Sequence, residues 1–251
     1  MVHRDHLLTL CNDLLQPAKF KDYCPNGLQV EGRSEVKKIV SGVTASRAFI
    51  EAAIDAGADT LLVHHGLFWR GHDGAVTGWL KQRLALLLAH DINLLAYHLP
   101  LDAHPAFGNN AQLGLLMGWD TLSRFGEQDL GFVGTPAAGC DNIDALTQSL
   151  HTQLGRAPLA VVPDPKRALK RIAWCTGGAQ SWFEAAISAG ADVFITGEIS
   201  EPQAHLAQET GVAFLACGHH ATERYGAPAF AAHVASQMGL THAFIDIGNP
   251  A

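Results

Sequence analysis

The chain carries one stretch of sequence twice, and that repeat limits the folds open to it more than any other feature. Aligned without a gap, Lys37–Gly66 matches Lys170–Ile199, and at the centre EAAIDAGAD (Glu51–Asp59) faces EAAISAGAD (Glu184–Asp192) with a single difference. The flanks repeat as well, with an apolar stretch before the match (KKIVSGV; KRIAWCT) and another after it (TLLVHH; VFITGE). Each copy therefore reads as strand, helix, strand. In the first copy Ser46 is placed to cap the helix, Phe49, Ile50, Ala53 and Ile54 form its buried stripe, and Gly57 supplies a left-handed C-terminal residue. Ser181, Trp182, Phe183, Ala186, Ile187 and Gly190 repeat this pattern in the second. Short, continuously apolar strands alternating with helices indicate buried parallel strands in βαβ units.

A weaker match extends to a third strand in each half, at Ile92–His98 and Val212–His220. A last helix over Thr222–Met238 and a strand over His242–Ile247 are expected to close the second half. Between the halves lies a Gly- and Pro-punctuated stretch, with strands expected at Leu130–Val133 and Leu159–Val162 around a helix at Ile143–Leu154. A structural extension or an oligomer contact explains it better than a substrate lid, since it carries no catalytic pattern. The expected architecture is α/β: two pseudo-repeated βαβ lobes with mainly parallel sheets flanked by helices. The lobes are residues 1–120 and 166–251, residues 121–165 form a connecting or inserted segment, and a cleft lies between the lobes.

With 251 residues, 48% of them hydrophobic, the chain can bury a large core without staples. The net charge of −7, with no basic stripe, disfavours duplex nucleic acid as a partner but leaves a nucleotide substrate open. Cys11, Cys24, Cys140, Cys175 and Cys217 are odd in number and contain no Cys-x-x-Cys pair, so neither a disulfide frame nor a thiolate zinc site is expected. Met1–Leu15 spreads its apolar residues at helical spacing, unlike a signal peptide, and no apolar run approaches the roughly 20 residues of a membrane span. A cytoplasmic location is the expectation.

In open α/β sheets ligands bind beyond the carboxyl ends of the strands, and the histidines and carboxylates collect there. His64 and His65 end one strand, HLPLDAH (His98–His104) follows another, and TGE (Thr196–Glu198) and GHHATE (Gly218–Glu223) follow the equivalent strands of the second copy. A helix starting at GHHATE places His219 and Glu223 one turn apart on one face, as a chelating pair requires, and turns His220 away by about 100°. Asp102, beyond Pro100, is a plausible carboxylate ligand. Alternating strand geometry sends His64 and His65 to opposite faces. Both can bind only if the strand ends there and Gly66 turns the chain, or if they address different metals. A single histidine is more often a hydrogen-bonded core or surface residue, and His72, His90, His151, His205, His233 and His242 are read that way. At the strand ends, convergence of several donors by repeat symmetry on the cleft between the lobes reverses that preference and makes the cleft the expected metal site. Imidazole with carboxylate suits zinc, iron, manganese or cobalt. Glu198 remains open as a ligand, a base or a helix-capping carboxylate. TGGAQS (Thr176–Ser181) fits a phosphate-holding turn and an ordinary capped strand-to-helix turn about equally.

The segments PNGLQVEG (Pro25–Gly32), GVTAS (Gly42–Ser46), VHHG (Val63–Gly66), HLPLDAHPAFGNNAQL (His98–Leu113), CTGGAQ (Cys175–Gln180), TGE (Thr196–Glu198), GHHATER (Gly218–Arg224) and FIDIGNP (Phe244–Pro250) resemble the GTP cyclohydrolase I type 2 homologue family, the YbgI-like proteins. The resemblance runs from about residue 20 to the C-terminus and makes the whole one family-level domain. It implies two divalent metal ions per chain: His65 and Asp102 serve one, His64 and His219 the other, and Glu223 bridges them. It also implies ring-shaped homohexamers whose metal sites face an internal cavity.

A metal-dependent hydrolase acting on a small molecule or nucleotide is the leading expectation, because a two-metal site with open positions activates water and holds the electrophile at once. With GTP the reaction would be attack at C8 of the purine, opening of the imidazole ring and release of formate. Other nucleotides, cyclic compounds or amides are alternatives. His98, His220 and Glu198 are the candidates for moving protons, and orienting the metal ligands is an equally good role for each. The rival is a non-catalytic metal-binding assembly or metallochaperone using the same ligands. A nucleic-acid- or protein-binding regulator finds no support in the charge pattern. Homo-oligomerisation also fits apolar, surface-prone segments such as Leu67–Trp69, which a monomer would expose.

Overall fold

The structure is a computed structural model and describes residues 1–251. It divides into two compact units, Met1–Gly108 with Gly226–Gly248, and Asn109–Tyr225 with Asn249–Ala251. The first begins with β1 (Val2–His3), α1 (Arg4–Leu15), β2 (Gly27–Val30) and β3 (Glu35–Val36). The first repeat follows as β4 (Lys38–Thr44), α2 (Arg47–Asp55) and β5 (Thr60–His65), then α3 (Gly78–Ala89), β6 (Asn93–Ala96) and the short α4 (Leu99–Ala103). The second unit contains α5 (Asn109–Met117), β7 (Asp120–Phe125), β8 (Gly131–Thr135), α6 (Ile143–Leu154), β9 (Leu159–Val161), β10 (Ile172–Trp174), α7 (Phe183–Ser188), β11 (Val193–Thr196), α8 (Glu201–Thr210), β12 (Ala213–Ala216) and α9 (His219–Thr222). The chain then returns to the first unit with α10 (Gly226–Met238) and β13 (Thr241–Phe244).

The first unit's five-stranded sheet has the order β13-β4-β5-β6-β2, parallel except for β2. Its central strands β4, β5 and β6 are buried on both faces, and the pleat sorts their side chains. Val40, Leu61, Val63 and Leu94 pack with Phe49, Ile50 and Ala53 of α2 and with Leu80 and Leu87 of α3. Ile39, Leu62, Leu95 and Tyr97 pack with Leu7, Cys11 and Leu15 of α1 and with Phe230 and Val234 of α10. Fully burying an aliphatic or Phe side chain contributes about 1.5–3 kcal/mol, so each face is a substantial core.

The second unit's six-stranded sheet has the order β7-β8-β10-β11-β12-β9. Here β10, β11 and β12 form the parallel centre, and β8 and β9 flank it antiparallel. On one face Trp174, Ile195 and Leu215 meet Leu113 of α5 and Leu146 and Leu150 of α6. On the other, Phe194 and Phe214 meet Phe183 and Ala186 of α7. The two repeats thus supply the parallel centre of each sheet.

The helix of the first repeat, α2, starts as its sequence predicts, with the Ser46 side chain accepting from Phe49 N–H and Gly57 at φ +70. Ser181 does not play the matching role: Gln180–Trp182 forms a 3-10 turn and α7 begins at Phe183 without a side-chain cap. The expected division at residues 120 and 165 also differs from the structure. Residues 121–165 supply β7, β8, α6 and β9, which extend the second sheet and cover one face of it. The last helix and strand leave the second half altogether, because β13 pairs in parallel with β4 (Thr241↔Lys38 to Phe244↔Ser41) and α10 packs on the first unit's core. Leu67, expected near the surface, is 1% exposed, whereas Trp69 is 36% exposed. No helix is long and apolar enough to cross a membrane.

Candidate metal centre

In the first unit the donors lie just past the ends of β5 and β6. Strand β5 ends at His65, and the Gly66 turn that follows is packed so closely on the Gln29 side-chain amide that a Cβ there would collide with it. Gln29 Oε1 accepts from Leu67 N–H at 2.8 Å and Gln29 Nε2 donates to the Pro25 carbonyl at 2.9 Å, which gives the PNGLQ segment its structural work. With the strand ended, the His64 and His65 rings do not diverge; their centroids are 4.5 Å apart. His64 is fully buried, its Nδ1 lies 3.0 Å from the Tyr97 carbonyl, and its Nε2 lies 3.5 Å from Asp102 Oδ1. Thr44 Oγ1 lies 3.1 Å from His65 Nδ1. Asp102 is in α4 and is 8% exposed.

His98 joins this group. Its ring centroid lies 5.0 Å from that of His64, and one donor atom each from His64, His65 and His98 lie within 4.8 Å of one another. Two residues that sequence reading passed over fix it in place. Asp22 Oδ1 sits 2.7 Å from His98 Nδ1, and Asn26 Oδ1 accepts from His98 N–H at 2.7 Å. Burial opposes the charge on Asp22, but the bond and charge of His98, with bonds from Asn26 and Leu99 N–H, outweigh it and hold the carboxyl down at about 2. Cys24 lies beside Asp22 and His98. Burial first, and the nearby Asp22 and Asp102 charges second, push its thiol up to about 12, so the sulfur stays protonated and acts as a small apolar side chain.

In the second unit the donors follow β10, β11 and β12. Gly218 adopts φ +99, and the short α9 that follows places His219 Nε2 3.2 Å from Glu223 Oε2, one turn on. Glu198, two residues past the end of β11, puts Oε1 2.6 Å from His219 Nδ1 and accepts from Gln180 Nε2 at 3.2 Å on Oε2. Burial works against a charged His219, but the bonds and charges of Glu223 and Glu198 prevail and hold the imidazole up at about 9. The CTGGAQ turn closes around these groups. Gly177 N–H donates to Thr222 Oγ1 at 3.0 Å, and Thr176 N–H donates to Asn110 Oδ1 at 2.8 Å. Asn110 also accepts from Trp174 Nε1 on its carbonyl at 2.9 Å, so the GNNAQ segment anchors the turn. The turn is therefore packed against the candidate ligands. His220 belongs to no close donor group; it is 8% exposed and its N–H donates to the Ala251 carbonyl.

The donor chemistry fits divalent metal. In His64, His65 and His219 one ring nitrogen, Nδ1, is engaged by an oxygen, and in His64 and His219 the other faces a carboxylate. This is how metal-binding imidazoles are usually held, with the outer contact fixing tautomer and orientation. The remaining histidines sit elsewhere: His205 pairs with Glu201, His242 with Ser41, and His233 with Gln237. His72 caps its own loop through Gly74 N–H.

The chain is similar along its full length to known proteins. It is 54% identical over 251 residues, 100% of both chains, to a GTP cyclohydrolase 1 type 2 homolog of Neisseria meningitidis serogroup A. It is 46% identical over 246 residues to one of Escherichia coli K12, covering 96% of this chain and 97% of the relative. Among solved structures, protein ybgI, described as of unknown function, superposes with a TM-score of 0.94 at 44% identity over 100% of both chains. TTHA1606 from Thermus thermophilus does so with 0.90 at 31%, again over 100% of both. The family model described as Duf34/NIF3 (NGG1p interacting factor 3) matches residues 2–250, and the chain belongs to that family.

Proposed function

We propose that this chain is a dinuclear-metal-dependent hydrolase, acting on a nucleotide such as GTP or on another cyclic or amide substrate. The observation that carries the reading is the paired arrangement of imidazole and carboxylate, His64 with Asp102 and His219 with Glu223, each imidazole tethered at its far nitrogen. The name shared by the relatives, GTP cyclohydrolase 1 type 2 homolog, supports the choice of reaction. By the family resemblance His65 and Asp102 would hold one ion, His64 and His219 the other, and Glu223 would bridge them. Such a pair of ions, when bound, lowers the pKa of a coordinated water and polarises the bond under attack.

The side chains divide the remaining work. Tyr97 and Thr44 fix the His64 and His65 rings. Glu198 fixes His219, so its role is to orient a ligand. His98, held at Nδ1 by Asp22, can take or give a proton at Nε2 beside the His64 and His65 rings, which makes it the better placed of the proton-transfer candidates. His220, outside the donor groups, supports the turn that carries His219. A cytoplasmic homo-oligomer, a hexamer by resemblance to the family, completes the proposal. Exposed Trp79, Leu88, Leu115, Leu122 and Leu159 favour association.

One observation favours the non-catalytic rival. His64, Glu223 and Asp102 are 0%, 3% and 8% exposed, and enclosed ligands characterise structural metal sites. Elemental analysis of the purified protein, followed by a hydrolysis screen over nucleotides and small amides with the native metal restored, separates the two. Asp102→Asn is expected to abolish hydrolysis and leave fold and assembly unchanged. A fully metallated protein that hydrolyses nothing, with ions saturated by side chains, would establish the structural reading instead.

A further inference from the structure

Beyond the donors, the first unit carries two exposed aromatic rings beside its histidines. Trp69, three residues after Gly66, is 36% exposed, and its ring stands nearly perpendicular to His98, at 86° and 5.2 Å between centroids, and 5.8 Å from His65. Tyr23 is 53% exposed and meets His98 edge-on at 6.3 Å. Trp69 thus sits against two imidazoles of the donor group and still offers surface to a ligand. The neighbouring residue supplies charge. The Arg70 guanidinium lies 5.5 Å over the Tyr23 ring, Arg70 Nη2 donates to the Asp22 carbonyl at 3.0 Å, and Arg70 N–H donates to the Tyr23 carbonyl. These contacts tie the Trp69 loop to the Asp22–Tyr23 segment that positions His98.

We infer that Trp69 is the stacking face for a planar nitrogen heterocycle delivered to this centre, and that Arg70, anchored on Tyr23, receives the anionic part of the same ligand. The inference deepens the hydrolase reading and rests on the centre being a substrate site. An exposed indole at a metal-donor cluster suits a flat π-system, because stacking tolerates many ring types. A guanidinium one residue away suits phosphate, which it can pair with through two N–H groups. Together the two residues select a nucleotide over an amide or an aliphatic cyclic compound, which would gain nothing from the indole.

The test uses the full, metal-loaded protein and three probes: guanosine, GTP and inorganic triphosphate, with affinities read by calorimetry and by quenching of tryptophan fluorescence. Trp69→Leu is expected to weaken guanosine and GTP by roughly 5- to 150-fold, the usual worth of one base stack. It should remove most of the quenching and leave metal content and assembly unchanged. Trp69→Phe should restore most of the affinity, and Arg70→Ala should weaken GTP but not guanosine. Trp79→Leu, which alters an exposed indole on α3, should leave the affinities for all three probes unchanged. Equal affinity of wild type and Trp69→Leu for guanosine overturns the inference, as does inorganic triphosphate binding as tightly as GTP, or a metal-loaded protein that binds no nucleoside. Loss of assembly in Trp69→Leu with binding intact would mean that Trp69 serves a contact between copies, and overturns it too. Trp69-dependent nucleoside binding without turnover would leave the inference standing and remove the hydrolase reading. Turnover of GTP with unchanged affinity in Trp69→Leu would do the reverse.

Discussion

Glu198 Oε1 lies 2.6 Å from Nδ1 of His219, while Nε2 of the same ring lies 3.2 Å from Glu223 Oε2. The imidazole is thus held between two carboxylates, one on each nitrogen. In the proposed metal centre Glu198 would set the tautomer and raise the basicity of the ring without binding the ion itself. Loss of such an orienting carboxylate typically weakens metal binding about 10- to 100-fold. Glu198→Ala is expected to fall in that range, measured by competition with a chelator of known affinity. Complete loss of metal would make Glu198 a direct ligand.

Glu223 and His220 lie close together in one segment and have opposite expected roles. Glu223 is buried and faces His219, whereas His220 belongs to no donor group. Glu223→Ala should therefore remove bound metal far more than His220→Ala does. Both measurements come from elemental analysis of protein purified in the same buffer, and equal losses would reverse the assignment of the histidine pair.

Much of the centre of each sheet was legible because the repeat conserves its contacts as well as its letters. Asp59 accepts from Lys37 N–H, Lys38 N–H and Arg33 Nη1, and its counterpart Asp192 accepts from Lys170 N–H, Arg171 N–H and Arg167 Nη2. The same carboxylate thus ties the strand start to the helix end in both copies. The return of β13 to β4 was not legible, because pairing between segments some 200 positions apart leaves no local pattern in the chain. Nor were the orienting partners of the histidines: a Tyr97 carbonyl has no sequence signature, and Asp22 is distant from His98 along the chain. Trp69 read only as an apolar surface residue, since its neighbourhood with His65 and His98 exists only once the strands are aligned.

The Asp192 clamp predicts a pH dependence. Burial opposes the Asp192 charge, but bonds from Arg171 and Lys170 N–H and from Arg167 outweigh it and lower the carboxyl below its ordinary value. A carboxyl depressed in the folded state stabilises the fold above its unfolded value, about 3.9, and that contribution is lost as pH falls through the folded value. Asp192→Asn puts an amide NH2 or a weaker acceptor where two backbone donors converge, at a cost of about 1.5–3 kcal/mol at neutral pH. Urea unfolding at pH 7 and again near pH 3 should show a gap between wild type and variant that narrows in acid. A gap of constant size would mean that the clamp acts by packing alone.

Two adjacent glycines make opposite predictions at the proposed metal centre. Gly177 has φ +70, and a Cβ built there would collide with Glu223 Oε1 and lie 3.1 Å from His219 Nε2. Gly178 differs: the nearest atoms to its Cβ, from Glu198, His219 and Gln180, lie at 3.6, 3.6 and 3.7 Å, ordinary contact distances. Gly177→Ala therefore adds left-handed strain of about 1–2 kcal/mol and must also displace a proposed bridging carboxylate. Bound metal should fall sharply in Gly177→Ala and hold near wild type in Gly178→Ala. Comparing thermal midpoints of the two variants without metal separates the causes, because strain alone lowers the midpoint and leaves metal affinity in place. If Gly177→Ala binds metal as wild type does, Glu223 tolerates displacement, and its assignment as the bridge between the ions fails.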